Sequence, residues 1–406
     1  MLEINHKTML ANAAPLGAID CAVVPGVASA VDRLAAQAPA SHAFLRAAWF
    51  CRGEPEAIST LVARRGDGSE ILALPMRQMG PAGLKARALA GSYWPFRSAA
   101  IDKAAGVDDI RAVLDHPAAR AAIGPLLRLG PIYQDDRLAQ LVAAAAEATG
   151  WHVLTRDMGQ SFIQDLPGPG APDPWPSKSR RKKIRRMIAK LEELGPLTLR
   201  IVRGDAWSRR VFHDLARIEE NSWVGKRTDR SGAKFLNSHM LAHWQRAVVD
   251  PELAEMLAAT LLYVGDKPVA FSLDLTCGSL QYGIASSYDD AFAAFSPGQI
   301  VTLHGIDDSV ARGVRQIDWG AGDSGYKQEL GARPGSRIHD LLLVRSATIA
   351  AALRPRWEES AGSGTLAIAT GLADAIKASG LPSSATIKRL LMSGLTLSAA
   401  AALMVE

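Results

Sequence analysis

The chain has 406 residues, of which 48% are hydrophobic and 21% charged, with a formal net charge of +5. That length accommodates two ordinary domains, and that hydrophobic content supports packed cores and excludes a disordered chain. Eight Lys or Arg and no acid stand between residues 178 and 190, so the basic balance reports one local cluster and the rest of the chain is net negative.

In chain order, residues 1–18 form an N-terminal arm with an early acid and no long apolar core, unlike a signal peptide. A first α/β unit spans residues 19–166. It opens with a strand, IDCAVV, and a helix with Val31, Leu34 and Ala35 on one face. The runs ISTLVARR and EILALPMRQM, joined by Gly66-Asp67-Gly68, predict a hairpin. A helix near residues 108–114, the strand PLLRLG, a helix over 137–149 and the strand WHVLTRD complete the unit.

Residues 167–177 carry Pro167, Pro169, Pro172, Pro174 and Pro176 and read as a linker, because such a density of proline cannot continue a helix or a central strand. The second unit spans residues 178–346. Ile184, Met187, Ile188, Leu191 and Leu194 recur at helical spacing through the basic run, with Ser177 or Ser179 as N-cap. The strand LTLRIV follows, then a helix with Val211, Leu215, Ile218 and Ser222 inward, ending at Trp223. LAATLLYV, PVAFSLDL and SLQYGIASSY form a meander, with turns at Gly265-Asp266-Lys267 and Cys277-Gly278. After Ser296-Pro297-Gly298 comes a helix with Ile300, Leu303, Ile306 and Val310 inward and Gly313 just past its end. RQIDWG and IHDLLLV are the last strands. Residues 347–406 form an Ala-rich helical extension broken at Gly362-Ser363-Gly364 and Gly380-Leu381-Pro382. Its best apolar run, residues 395–405, is about half the length a membrane helix needs.

The three cysteines, Cys21, Cys51 and Cys277, are widely spaced and form no C-x-x-C pair. Neither a disulfide framework nor a metal site is expected, and a reducing cytoplasm fits.

The order of the second unit carries the chemistry. Three antiparallel strands lead into a turn, the turn opens a helix, and the helix returns to a further strand. A helix N-terminus offers free N–H groups and a positive dipole end, which suit a pyrophosphate. In Ser296-Pro297-Gly298-Gln299, proline sets the first helical turn and glycine lets the backbone approach a ligand. The crossover leaves a splayed strand edge where an extended ligand could insert.

The segments SRRKKIRRMIAKLEELG, EENSWVGK, GDKPVAFSL, LQYGIASSYDDAFAAFSPG and IDWGAGDSGYKQELG resemble the FemAB-like branch of the Gcn5-related N-acetyltransferase (GNAT) superfamily, of the exopolysaccharide and holdfast type. The resemblance covers residues 178–345. SHAFLRAAWF and GSYWPF in the first unit match a degenerate second copy more loosely. It implies an α/β protein of tandem GNAT-like folds, with mixed, mostly antiparallel sheets flanked by helices. It also implies an acetyl-CoA-dependent N-acyltransferase without a metal, acting on an amino sugar of an envelope precursor.

The resemblance assigns Tyr326 as proton donor to the leaving thiolate and Asp318 or Asp323 as acceptor of the amine proton. Ser296, Gly298, Gln299 and Lys327 would hold the donor. Trp223, Lys226, Tyr288, Arg181, Lys182 and Arg185 would hold an anionic sugar-nucleotide or lipid-linked saccharide acceptor. The location implied is cytoplasmic, with peripheral association with membrane polysaccharide machinery. The donor loop departs from the family's pattern, since only Ser-Pro-Gly stands where an Arg or Gln precedes two glycines. The branch includes aminoacyl-tRNA users, so a FemAB-type transfer to a peptidoglycan precursor stands as an alternative, as does an inactive scaffold.

Plainer readings accompany these. The basic run could be a solvated helix face, Tyr326 a packing anchor, Asp323 a turn residue and Trp223 a packing residue, while Tyr282 reads as core. The extension reads as packing against the second unit or a partner. The sharper alternative is a regulatory ligand gripped by Arg354, Arg356, Lys388 and Arg389.

Overall fold

The computed structural model describes residues 19–51, 58–79, 85–92, 94–168, 176–227, 232–322 and 325–358. The N-terminal arm, most of the Pro-rich linker, Asp323, Lys388, Arg389 and the extension beyond residue 358 lie outside these. No described helix is long and apolar enough to cross a membrane.

The first half holds β1 (Ile19–Pro25), α1 (Ala30–Ala35), α2 (Ala47–Phe50), β2 (Ile58–Arg65), β3 (Glu70–Met79), β4 (Ala86–Leu89), α3 (Val107–Asp115), α4 (Pro117–Ile123), β5 (Leu126–Tyr133), α5 (Arg137–Ala146) and β6 (His152–Asp165). The second half holds α6 (Lys178–Glu192), β7 (Leu197–Val202), α7 (Arg209–Asn221), α8 (Trp223–Arg227), α9 (Ser238–Ala247), α10 (Pro251–Met256), β8 (Leu257–Val264), β9 (Lys267–Cys277), β10 (Leu280–Tyr288), α11 (Pro297–Ala311), β11 (Gln316–Ala321), α12 (Tyr326–Glu329) and β12 (Arg333–Val344). Helix α13 (Ala347–Glu358) closes the described chain.

Local chemistry sets the turns. Gly68, Gly265 and Gly278 take positive φ at the three predicted hairpin turns, where a Cβ would be strained. The hydroxyl of Ser177 accepts from Arg180 N–H and starts α6. Helix α7 stops two residues before Trp223, at Asn221, because Ser222 turns extended. The Ser222 hydroxyl donates to Glu219 O at 2.7 Å and accepts from Val224 N, and Trp223 then opens the separate α8.

All twelve strands join one sheet in the order β1-β2-β3-β4-β5-β12-β6-β11-β10-β9-β8-β7. Each half is a four-strand antiparallel meander, a helical crossover and a parallel return: β4 pairs parallel with β5, and β10 with β11. The two halves then exchange their last strands. β12, from the second half, pairs with β5, and β6, from the first, pairs with β11. The linker at 167–177 therefore divides the chain in sequence but not in the sheet, so residues 178–346 alone would lack the strand that borders β11.

A buried ion cluster secures the exchange. Asp340 on β12 accepts two bonds from Arg128 on β5 and a short one from Arg156 on β6, all three buried. Gly130, with φ of 134°, lets β5 approach, since a Cβ there would lie 2.9 Å from His339 O. Trp357 of α13 covers the cluster: its indole donates to Asp340 O, and the Arg156 guanidinium lies 4.8 Å from its ring centroid. The start of the extension thus packs over the exchanged strands, against Leu342 and Val344 of the second half and also against Met79, Ala86 and Leu126 of the first. Arg354 pairs with Glu358 of the same helix.

A second apolar cluster runs across both halves, joining Phe44, Trp49 and Phe96 to Trp244, Phe271 and Tyr282. Arg46 reinforces it through Asp250 at 2.8 Å and Glu252 at 2.9 Å.

Asp340→Ala leaves two buried guanidinium groups without their carboxylate, so we expect a loss of about 3–5 kcal/mol in unfolding free energy. Urea denaturation of the full chain measures it, and a loss under about 1 kcal/mol would show the exchange to be held by the ladders alone.

Candidate active site

β10 and β11 are paired only from Leu280–Tyr282 to Gln316–Asp318. Beyond Tyr282 and Asp318 the two strands diverge, and β10 also carries a bulge between Gly283 and Ala285. A groove of about 610 Å³ runs along the unpaired end of β10 past the start of α11, lined by Ser286, Ser287, Tyr288, Gly298, Gln299 and Thr302. Tyr326, Glu329, Trp223 and Arg180 form its other borders. Ser287 is buried on this wall, and its hydroxyl has no partner among the described residues. Gly298 admits Tyr288, whose ring would lie 3.3 Å from a Cβ at that position.

Trp94 fills the apex of the divergence. Its indole N–H donates to Gly283 O at 2.7 Å, the first carbonyl past the paired segment. Its ring lies so close to Gly320 that a Cβ there would fall 2.1 Å from it.

On the face away from α11 lies a second cavity, of about 490 Å³. Tyr282 and Asp318 are register partners and share this face, while their neighbours Gln281 and Ile317 meet Ser309 and Ile306 of α11. The first half supplies the opposite wall: His42, Phe96, Tyr133, Asp135 and Asp136. The Tyr133 hydroxyl donates to Asp318 at 2.6 Å, and Gly320 N–H donates to its other oxygen at 2.8 Å. Burial pushes the Asp318 carboxyl up, partly offset by the Tyr133 bond. Burial, and then the charge of Asp318, push the Tyr133 phenol well above its usual range, so it stays a proton donor. A buried carboxyl of raised pKa behind a phenol can accept a proton relayed from a nucleophile.

The structure sorts the residues expected from sequence. Tyr326, Gln299, Gly298, Tyr288 and Trp223 come together on the groove, with Tyr326 and Trp223 about half exposed. Asp318 stands at the divergence but opens to the other cavity.

Six other expected residues do not line the groove. Lys327 is buried and donates to Gly320 O and Ala321 O, both at 2.9 Å, so its ammonium closes the end of β11 and does not face the groove. Ser296 turns the chain with φ of 48° and makes no cap bond. Lys226 is exposed and outside both cavities. Arg181, Lys182 and Arg185 do not reach the Asp318 cavity, because α6 packs against α11 through Ile184 on the other face. Arg181 pairs there with Asp307, and Lys182 and Arg185 are exposed. Their neighbour Arg180 is the cation of α6 that borders the groove. Asp289, which follows Tyr288 in sequence, is paired with Lys267 at 2.8 Å.

Sequence reasoning missed Trp94, Tyr133 and Ser287. The GSYWPF segment was the only signal for Trp94. Tyr133 and Ser287 had none, one being remote from Asp318 and the other an ordinary strand serine.

Residues 178–328 match the family model described as an acetyltransferase (GNAT) domain. No curated protein matches the chain. Among solved structures, FemX is 12% identical, with 73% of this chain and 90% of that one covered and a TM-score of 0.50. L-PGS from Bacillus licheniformis is 12% identical over 80% and 93%, with a TM-score of 0.46. A tandem GNAT protein from the clavulanic acid biosynthesis pathway is 13% identical over 80% and 99%, with a TM-score of 0.43. At such identities the likeness to FemX is one of fold, and it agrees with the tandem α/β architecture expected from sequence.

The groove depends on the seating of α11. Gly305 sits over Thr260, where a Cβ would lie 2.9 Å from the hydroxyl and 4.0 Å from Asp274. Asp274 is buried beneath the helix, bonded by Ser272 at 2.9 Å, and burial pushes its carboxyl up to about 7. The folded protein therefore binds a proton there that the unfolded chain has lost, and this contribution is full at acid pH and lost as pH rises to about 7. We expect wild-type stability to fall over that interval by up to roughly 1.4 kcal/mol per pH unit, and Asp274→Asn to flatten the slope. Parallel pH-dependent slopes in the two proteins would place the titration elsewhere.

Proposed function

We propose that the protein is an N-acyltransferase that moves a short acyl group, acetyl first among them, from acyl-CoA to an amine. The divergence of β10 and β11, with a groove on one face and Asp318 opening to the other, carries this reading. The donor lies along the unpaired edge of β10, with its phosphates toward the start of α11 and Arg180. Ser287 offers it a buried hydroxyl. The amine nitrogen attacks the thioester carbonyl from the Asp318 side. The C–N bond forms, and an N–H of β10 past Gly283 stabilises the oxyanion. As the C–S bond breaks, the amine proton passes through Tyr133 to Asp318, and Tyr326 protonates the thiolate. An amino sugar of an envelope polysaccharide is the acceptor that the sequence resemblance supports.

A second reading keeps the acyl transfer and changes the donor to an aminoacyl-tRNA. It is favoured by the exposed Lys178, Lys182, Lys183, Arg185, Arg186 and Lys190 on the helix that borders the groove, more cations than a coenzyme requires. Tight tRNA binding that weakens steeply with salt, with no turnover of acetyl-CoA, would favour this donor.

Substitutions at two positions test the first reading. In a thiol-release assay with acetyl-CoA, Asp318→Asn should lower kcat by about a hundredfold at unchanged melting temperature. A near-normal rate would remove Asp318 from the chemistry.

Trp94 closes the apex, so it should limit acyl length. Trp94→Ala should shift the preference from acetyl-CoA toward butyryl- and hexanoyl-CoA, while Trp94→Phe keeps the ring and the short preference. An unchanged chain-length profile in Trp94→Ala would show that the apex does not select the acyl group.

A further inference from the structure

The cavity beside Asp318 is acidic, walled and unlike the donor groove. Asp135, Asp136 and Asp318 line it, against one fixed cation, Arg333, which is already paired with Asp165 at 2.9 Å. The three carboxylates are not equivalent. Asp318 holds Tyr133 and Gly320 N–H. Asp136 caps α5 through Ala139 N–H and holds His42 at 2.8 Å. Asp135 is exposed at the rim and holds only the Ser336 hydroxyl among the described residues. A further observation points to a ligand: Ser161 is fully buried, lines this cavity, and its hydroxyl has no partner among the described residues. A buried hydroxyl without a partner is costly unless something in the cavity completes it. Phe96, Tyr133 and Tyr282 supply aromatic walls, with Phe96 set 5.3 Å from Tyr133 and 5.9 Å from Tyr282.

We propose that this cavity takes an acceptor bearing two amino groups, one presented to Asp318 for acylation and the other held as an ammonium at Asp135. This rests on the acyl-transfer reading and departs from its amino-sugar acceptor. The attacking nitrogen must be neutral, and loss of its proton is what the Tyr133–Asp318 pair serves. The second nitrogen stays protonated, and an ammonium is the group that a rim carboxylate without a cationic partner attracts. The aromatic walls would cover the methylenes of a small diamine. A phosphate-bearing acceptor would meet the same carboxylates as like charges.

The test uses the full chain and three amines: 1,4-diaminobutane, n-butylamine and glucosamine 6-phosphate. Calorimetric titration comes first, because it needs no donor. The diamine should bind about tenfold more tightly than n-butylamine, and Asp135→Asn should bring that ratio near one. Thiol release with acetyl-CoA should show the same ratio in kcat/KM, with N-acetyl-diaminobutane as product. Diamine binding that Asp135→Asn abolishes, without any thiol release, would sustain the acidic subsite while overturning the acyl-CoA donor. Equal affinity for diamine and monoamine, a ratio untouched by Asp135→Asn, or a preference for glucosamine 6-phosphate would each overturn the proposal, whatever the fate of the donor. The melting temperature of Asp135→Asn should match wild type, since the residue is exposed and holds one hydroxyl. If it does not, Ser336→Ala, which removes that bond alone, separates a fold effect from a charge effect: retained diamine preference supports the subsite, and a lost one overturns it.

Discussion

The bond set around Asp340 is the constraint on which the rest of the molecule depends. A carboxylate with no exposure is costly to bury without partners, and so is Arg156 beside it. Each is tolerated because β5, β12 and β6 stand side by side, and those three strands come from opposite halves of the chain. The cluster therefore penalises arrangements in which either half folds on its own sheet. Such a buried ionic group adds little net stability over well-packed apolar side chains, yet it is costly to satisfy in the wrong register. Its contribution here is to specify one strand order.

That order has a chemical consequence. With β6 paired to β11, the first half lies against the edge where β10 and β11 separate. Trp94 then reaches Gly283 O and covers Gly320, and Tyr133 reaches Asp318 across 185 residues of sequence. Neither contact is available to an isolated second half. The first half is not a passive remnant: it supplies the phenol that bonds Asp318 and the indole that stands at the divergence. Glycine at 320 is required twice, for its φ of 73° and for the approach of the indole.

Sequence reasoning reached what is local. Turn chemistry placed Gly68, Gly265, Gly278 and Gly313, and the alternation of apolar residues found the meander of β8, β9 and β10. The order of strand, turn and helix also located the divergence, because it follows from connectivity. It could not reach the exchange of β6 and β12. The run Leu341 to Val344 says that β12 is buried on both faces, but not which neighbours bury it. Helix α9 was legible and overlooked: Met240, His243, Trp244 and Ala247 recur at helical spacing behind Asn237, which caps the helix. Lys327 was misplaced because a lysine after a strand reads as exposed, whereas two carbonyls left free at the end of β11 draw it inward.

The charges are also divided across the sheet. The cations of α6 lie on the face of α11, beside the groove, and the acids Asp135, Asp136 and Asp318 lie on the opposite face. A summed field of this kind steers a polyanion to one side and a cation to the other, and like-charge juxtaposition discourages each from the wrong cavity. The two cavities share no lining residue. Under the proposed reaction, donor and acceptor would approach from opposite faces without competing, and the reacting atoms would meet where the sheet itself is open. The basic cluster that dominates the net charge of the chain then belongs to the donor side. An acceptor-side role for it, natural when α6 is read as an isolated helix, conflicts with the packing of Ile184 against α11, which turns those cations away from Asp318.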